Sequence, residues 1–352
     1  MIVIIGQYWR NILKNNLIKA VKEANHTRYK AGQRGGHYES YFLRANHPTK
    51  PMAFWIRYTI FSPNGSPEDA IGEIWAVYFD GETGKHSAVK KEIPISDCSF
   101  RNDSLDVKIG NSHFKSGELM GNVELNSNNI SWNLSYKGKE DPLFFYPLKM
   151  YDHKLPRAKS LVGLPMATFN GSFVINDNEI KIKNWIGSQN HNWGEKHTDH
   201  YAWGQVAGFD NDPGSFLEIA TARLKLGPVW TPFMTIMILR HRGKEYALNN
   251  LIQSFKATGA FDYFTWNFSS ETNVVKIEGI ISAQRSDFIG LTYFNPPGGS
   301  KQCLNSKIAS CKLTIHNKKN GKIVNSETLE TEHRAAFEIL TDDSNHGVKI
   351  FI

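Results

Sequence analysis

The sequence predicts an all-β protein of two antiparallel, sandwich- or barrel-like halves behind a short N-terminal helix. Three observations carry this. From about Gly36 onward, short runs of aromatic and β-branched residues alternate with polar ones at period two. Gly, Asn, Asp and Pro punctuate the runs, and only the opening stretch keeps a helical period. The 352 residues, 40% hydrophobic and 21% charged, can bury a large core without covalent staples.

The elements follow in order. Between Gln7 and Ala24, apolar Trp9, Ile12, Leu13, Leu17, Ala20 and Val21 recur at helical spacing among Lys14, Lys19, Lys22 and Glu23. This amphipathic stripe is expected to dock on the body of the protein, with peripheral contact to a membrane as the alternative. Strands are expected over Ala53 to Phe61, Ile71 to Phe79, Ser104 to Ile109, Glu118 to Leu125, Ile130 to Tyr136, Gly171 to Ile175 and Glu179 to Trp185. Ile130, Trp132, Leu134 and Tyr136 alternate with polar neighbours, which turns one face to a core. Pro63-Asn64-Gly65, Asp80-Gly81, Asn176-Asp177-Asn178 and Lys319-Asn320-Gly321 supply turn chemistry. A second set runs from Tyr201 to Phe209 through Ser215 to Leu224, Thr231 to Arg242, Glu245 to Leu248, Ser254 to Thr258, Tyr263 to Phe268, Val274 to Ala283, Phe288 to Phe294, Ala309 to His316 and Ala335 to Leu340, and ends at Val348 to Ile352. So many strands exceed one small barrel. Residues 1–30 are expected as the helical segment, 31–185 as the first β unit and 186–352 as the second, with Leu155 to Phe169 connecting packed halves.

Composition narrows the function. The net charge of +7 is scattered along the chain without a basic tract, so no nucleic-acid partner is expected. Cys98, Cys303 and Cys311 are odd in number and lack a C-x-x-C pair, which suits three reduced thiols in a cytoplasmic setting and no thiolate metal site. The run Met1 to Ile5 is too short for the apolar core of an export signal, and no run of about 18 apolar residues suggests a membrane span. Phosphate-loop, nucleophile-elbow, H-E-x-x-H and G-x-G-x-x-G signatures are missing, so no nucleotide cofactor is expected.

The densest chemical signal is Gly187 to Gln205, GSQNHNWGEKHTDHYAWGQ, expected as loop then strand. Its indoles, amides and imidazoles suit the wall of an apolar ligand pocket, or equally a structural corner at a junction of domains. His191, His197, Asp199 and His200 are potential metal ligands by type, but their spacing matches no familiar site, and no metal is expected. In Ser215 to Leu224 the alternation sets Phe216, Glu218, Ala220 and Ala222 on one face. If that face lines a cavity, desolvation keeps the Glu218 carboxyl protonated near neutrality, as protonation of an alkene requires; otherwise Arg223, Arg240 or Arg242 pairs with it. Leu226-Gly227-Pro228 and Asn295-Pro296-Pro297-Gly298-Gly299 read as rigid turns, Glu330 to Arg334 as a solvated edge, and Trp55, Arg57, Tyr58 and Trp75 as core or an aromatic wall between halves.

Asn190-His191-Asn192-Trp193-Gly194, followed by Tyr201-Ala202-Trp203-Gly204-Gln205, resembles the D-H-N-W-G and W-x-W signature of the lipocalin-like superfamily that includes carotenoid 1,2-hydratase, tocopherol cyclase-type proteins and lipocalin-type Diels–Alderases. The resemblance implies two tandem lipocalin-like barrels and cofactor-free hydration or cyclisation of an isoprenoid or polyene. It implies His191 and Trp193 as pocket residues and Phe216-Leu217-Glu218 as the counterpart of a Tyr-x-Asp; Asn190 and Phe216 depart from the pattern, while Glu218 keeps an acid. The expected site has Glu218 as proton donor and His191 orienting it or activating water. Asn190, Asn192, Trp193, Tyr201, Trp203, Gln205 and Phe216 are expected around the substrate. A non-catalytic carrier of a hydrophobic small molecule is the alternative, and a structural partner of a membrane-associated complex a third.

Overall fold

The structure, a computed structural model, describes residues 14–126 and 128–352. Strands make up 61% of it and helix 8%. Residues 14–22 form helix α1, and the rest of the expected N-terminal helix before residue 14 lies outside the described residues. Leu17 and Ile18 on α1 are exposed.

The first sheet is wholly antiparallel. Its strands are β1 (His37–Asn46), β2 (Met52–Ser62), β3 (Ile71–Asp80), β4 (Ser87–Pro94), β5 (Cys98–Phe100), β6 (Asp106–Ile109), β7 (Ser112–Lys115), β8 (Glu118–Leu125), β9 (Asn128–Lys137), β10 (Leu143–Phe144), β11 (Ala158–Ile175) and β12 (Asn178–Gly194), with the short helix α2 (Lys149–Asp152) before β11. Their order is β4-β3-β2-β1-β12-β11-β9-β8-β7-β6-β5, with β10 added to β11. The two edge strands, β4 and β5, are joined by a single turn over Ile95–Asp97, so the sheet curls into a nearly closed barrel.

The second sheet holds β13 (His200–Ala207), β14 (Phe216–Arg223), β17 (Met234–His241), β18 (Lys244–Leu248), β19 (Thr258–Asp262), β20 (Thr265–Glu271), β21 (Val275–Ser282), β22 (Ile289–Phe294), β23 (Ser300–Lys319) and β24 (Lys322–Thr341). A small hairpin of β15 (Lys225–Leu226) and β16 (Val229–Trp230) and the helix α3 (Leu251–Lys256) interrupt it. The order β18-β17-β14-β13-β24-β23-β21-β20-β19 forms a half-barrel. It repeats the order of the first sheet: β13 corresponds to β1, β14 to β2, and the long hairpin β23–β24 to β11–β12. These hairpins turn where the sequence carries residues tolerant of positive φ, with Asn176 and Asp177 at 47° and 69° and Asn320 and Gly321 at 52° and 76°.

The structure departs from the sequence expectations in four places. The first sheet runs past residue 185 to Gly194, so the Asn190–Gly194 motif lies on a strand paired on both sides, and the change of sheet falls between Gly194 and His200. Leu155 to Phe169 is no linker, because β11 begins at Ala158. The strand expected over Ser254 to Thr258 is mostly α3, started by the Asn250 side chain, which accepts from Gln253 N at 2.9 Å. Val348 to Ile352 makes a single parallel bridge, Ile350 to Gly290, instead of a strand.

Each half has its own core. Tyr41, Leu43, Phe54, Ile56, Phe169 and Trp185 fill the first barrel, and Leu217, Ile219, Leu239, Trp266, Phe337 and Ile339 the second. Because side chains alternate, β1, β2, β12, β13 and β14 turn their other faces toward each other across the junction. Two apolar clusters form there, one around Phe42, Trp55, Trp75, Leu291 and Leu340, the other around Phe145, Val162, Phe216 and Ile238. A polar seam runs between them.

Candidate functional site

The seam is built from β1, β12, β13 and β14. Arg44 on β1 is 0% exposed and, among the described residues, makes no ion pair, although Glu218 and Glu338 lie near enough to act on its charge. Its Nε donates to Gln205 Oε1 at 2.7 Å and Nη2 to the Gln205 carbonyl at 3.1 Å, while Nη1 donates to Asn46 Oδ1 at 2.7 Å and the Arg334 carbonyl at 3.1 Å. Ser188 Oγ also donates to Gln205 Oε1, at 2.6 Å. The Gln205 amide, so oriented, donates from Nε2 to Asn190 Oδ1 at 2.7 Å and to Glu218 Oε2 at 2.8 Å. Trp203 Nε1 donates to the other oxygen, Glu218 Oε1, at 2.7 Å.

Glu218 is 1% exposed, with Phe216 and Ala220 beside it on the same face of β14. Loss of water is the largest influence on its carboxyl and pushes the pKa up to about 7, against the two N–H donors and the charge of Arg44. The arginines considered as partners lie elsewhere: Arg240 pairs with Glu140 and Glu245, Arg242 with Asp212 and Glu327, and Arg223 stacks on Trp230. A half-protonated acid with a free lone pair on each oxygen can give a proton to a neighbour or hold one back.

Of the residues expected around the site, Asn190, Trp203, Gln205, Phe216 and Glu218 meet at the seam. Tyr201 and Asn192 share its face, Tyr201 against the Phe42 cluster and Asn192 accepting from Ser160 Oγ at 2.8 Å. Asn192, Tyr201, Trp203, Ala220 and the neighbouring Tyr146 are only half-buried although they lie between the halves, so the two faces do not seal against each other. A recess near Tyr38 and Arg57 and an open concavity over Thr258, Asn267 and Lys312 are lined by other residues than Glu218.

His191 and Trp193 point the other way, toward the end of the first barrel. His191 Nδ1 faces the Ala24 carbonyl at 2.8 Å and Nε2 faces Glu39 Oε1 at 2.8 Å, so both nitrogens are occupied away from Glu218. Glu39 also accepts from Arg28 N, Tyr29 N, Thr27 Oγ1, Tyr41 Oη and His37 Nε2. Despite burial, these donors and the two imidazoles hold its carboxyl well below the usual carboxylate range. The cluster clasps residues 24–29 over the barrel end, with Arg28 lying 5.1 Å over the Trp193 ring. The remaining members of the His-rich segment separate: His197 stacks on Tyr38 at 3.9 Å, His200 on Phe261 at 5.1 Å, and Asp199 pairs with Lys196. Among the described residues no three His, Cys, Asp or Glu side chains are grouped to hold a metal ion. No helix among them is long and apolar enough to cross a membrane.

Sequence reasoning missed Glu39 and Arg44. The signal available was β1 itself, HYESYFLRAN, in which every residue is buried: a strand covered on both faces has no solvent side on which to place its charges.

No family model matches the sequence. Two uncharacterized proteins of Mycobacterium tuberculosis, from strains CDC 1551 / Oshkosh and H37Rv, are each 22% identical over 287 residues, covering 80% of this chain and 82% of the relative. Among solved structures, kievitone hydratase from Nectria haematococca is similar at a TM-score of 0.52 and 10% identity, covering 88% of this chain and 89% of that one. CghA is similar at 0.52 and 10%, covering 90% and 93%. An AttH-type protein from Nitrosomonas europaea is similar at 0.51 and 12%, covering 88% and 94%. At these identities the likeness is one of fold.

Proposed function

We propose that the protein is an enzyme that protonates an unsaturated, hydrophobic small molecule, an isoprenoid or polyene, with Glu218 as the acid at the junction of its two halves. The observation that carries this reading is a carboxyl group buried among Phe216, Ala220 and Trp203 whose pKa is raised to about 7 with no cation paired to it. Structural acids usually sit with a cation or a full set of donors, as Glu39 does. A hydratase among the proteins of the same fold is in keeping with the reading.

In the step, the carboxyl proton adds to one alkene carbon as the π pair becomes the new C–H bond, leaving a carbocation. The faces of Trp203 and Tyr201 stabilise such a cation by about 0.5–2 kcal/mol per contact. Capture by water, with its proton returned to Glu218, gives an alcohol; capture by a second π bond, followed by proton loss, gives a ring. The chemistry is assigned to the chain's own groups. Gln205, held by Arg44 and Ser188, orients the carboxyl, and His191 acts at a distance by holding the barrel end closed.

The test begins with mass spectrometry of small molecules that co-purify with the protein, followed by incubation of the identified compound with the wild type and Glu218→Gln. The expected result is a product heavier by one water, or isobaric and cyclised, formed by the wild type and slowed by about 100-fold or more in Glu218→Gln, with binding retained. The rate should fall as pH rises through about 7, where the acid loses its proton. A compound bound equally by both proteins and altered by neither would make the protein a carrier.

A further inference from the structure

Between β14 and β17 the chain leaves the second sheet. Lys225 to Trp230 form the β15–β16 hairpin, a two-stranded ribbon paired with neither main sheet. Its root is fixed. Thr231 N donates to the Leu224 carbonyl and Leu224 N to Thr231 Oγ1, both at 2.9 Å, and Lys225 N donates to Asp199 Oδ2 at 3.0 Å. Its tip is apolar. Leu226 and Val229, paired across the Gly227-Pro228 turn, are 62% and 64% exposed, and Phe233 just beyond the ribbon is exposed as well. A ribbon held in place with two aliphatic side chains out in water forgoes the stabilisation their burial would give.

Two cations flank this tip. Arg223 lies 4.4 Å over the Trp230 ring and 4.9 Å over that of Phe233, and Lys225 Nζ lies 5.8 Å from the Trp230 ring. Among the described residues neither cation makes an ion pair, and Arg223 Nε is buried without a hydrogen-bond partner. Of the neighbouring acids, Asp199 is taken by Lys196, and Asp262, next to the Phe261 on which Phe233 packs, accepts from Tyr263 N at 2.7 Å. Aliphatic side chains at the tip, an indole behind them and unpaired cations beside it match, in that order, the acyl boundary, headgroups and surface charge of an anionic bilayer. A protein partner fits less well, because a tip of this size falls far short of the roughly 800 Å² per side of a stable interface.

The ribbon also rises from the end of the face that carries Glu218. On the junction face of β13, β14 and β17 the row of Glu218 is buried, whereas the next two rows toward the hairpin, Trp203-Ala220-Ile236 and Tyr201-Ala222-Met234, are half-buried throughout. We infer that the β15–β16 hairpin is a membrane-docking element that seats its tip in the interface of an anionic bilayer, the phase in which a hydrophobic substrate dissolves. The docking stands on the hairpin alone; only delivery toward Glu218 rests on the Glu218 reading.

The full chain is centrifuged with vesicles of phosphatidylcholine, with and without about a third of phosphatidylserine. Wild type is expected to partition onto the mixed vesicles about tenfold more strongly than onto phosphatidylcholine alone, and to lose that preference at high salt. Leu226→Ser with Val229→Ser should weaken partition onto the mixed vesicles by about tenfold or more, and Lys225→Glu should remove the preference for them. All three side chains are exposed, so the circular dichroism of the variants should match wild type. Wild type bound to neither vesicle overturns the inference and leaves the tip to a protein or a second copy of the chain. Binding kept by the Leu226→Ser, Val229→Ser variant overturns it too, and passes the contact to the other exposed apolar residues, on α1 or α3. Equal partition onto the two compositions overturns the anionic surface. Glu218→Gln should bind as wild type does, so failure of the Glu218 reading would show in turnover with sedimentation unchanged.

Discussion

Two buried carboxyl groups, Glu39 and Glu218, are driven in opposite directions by the donors around them. Glu39, clasped by N–H and O–H groups from residues 27–29, β1 and β12, is a carboxylate whose contribution to stability is present above the ordinary glutamate range and is lost only as pH falls far below it. Glu218 has two donors and little water, and its folded pKa of about 7 lies above the ordinary 4.5. Between those values the folded protein binds more protons than the unfolded chain, so stability must fall as pH rises through this window, by about 3 kcal/mol in all. The full contribution is present below pH 4.5. Glu218→Gln keeps the volume and cannot ionise; urea unfolding at pH 5 and pH 8 should show most of that slope removed. A slope identical to wild type would mean that Glu218 is ionised throughout. At this scale the face holding Phe216, Glu218 and Ala220 was legible from alternation. Its supports were not, because Arg44 reaches Gln205 across 161 residues and His191 reaches Glu39 across 152, and no local pattern records such a pairing.

The strands were legible where one face meets solvent, as in β9, and their turns where Asn, Asp and Gly supply positive φ. They were less so in the centre of the first sheet. There β12 is buried on both sides, and its run of Asn, His and Gln reads as a loop when only polarity is counted. Likewise Ser254 to Thr258 has strand-like composition, and the cap at Asn250 decides for a helix. Gly187 exposes the constraint on β12: a Cβ there would stand 1.8 Å from the Arg44 carbonyl and 2.6 Å from Ala45 Cα, both backbone. Gly187→Ala must therefore force β12 from β1 and displace Ser188 and Asn190 with it. A loss of about 3 kcal/mol or more in urea unfolding is expected; a loss under about 1 kcal/mol would show that the strands give way freely.

Across the whole molecule the two halves share buried surface of a kind neither tolerates alone. Separating them would bare the Phe42 and Phe216 clusters, leave Arg44 without Gln205 and the Arg334 carbonyl, and leave Asn46 without the Lys307 carbonyl. Scanning calorimetry should accordingly show one cooperative transition for the full chain, and two well-resolved peaks would contradict that coupling. The repeated strand order adds something that no single residue reveals. Glu218 stands on β14 and Arg57 on β2, which are counterparts in the two sheets. A homodimer of identical barrels would be obliged to present like against like, acid to acid or cation to cation. Joining the copies in one polypeptide frees each to diverge, so that corresponding strands carry a buried acid in one half and a buried cation in the other.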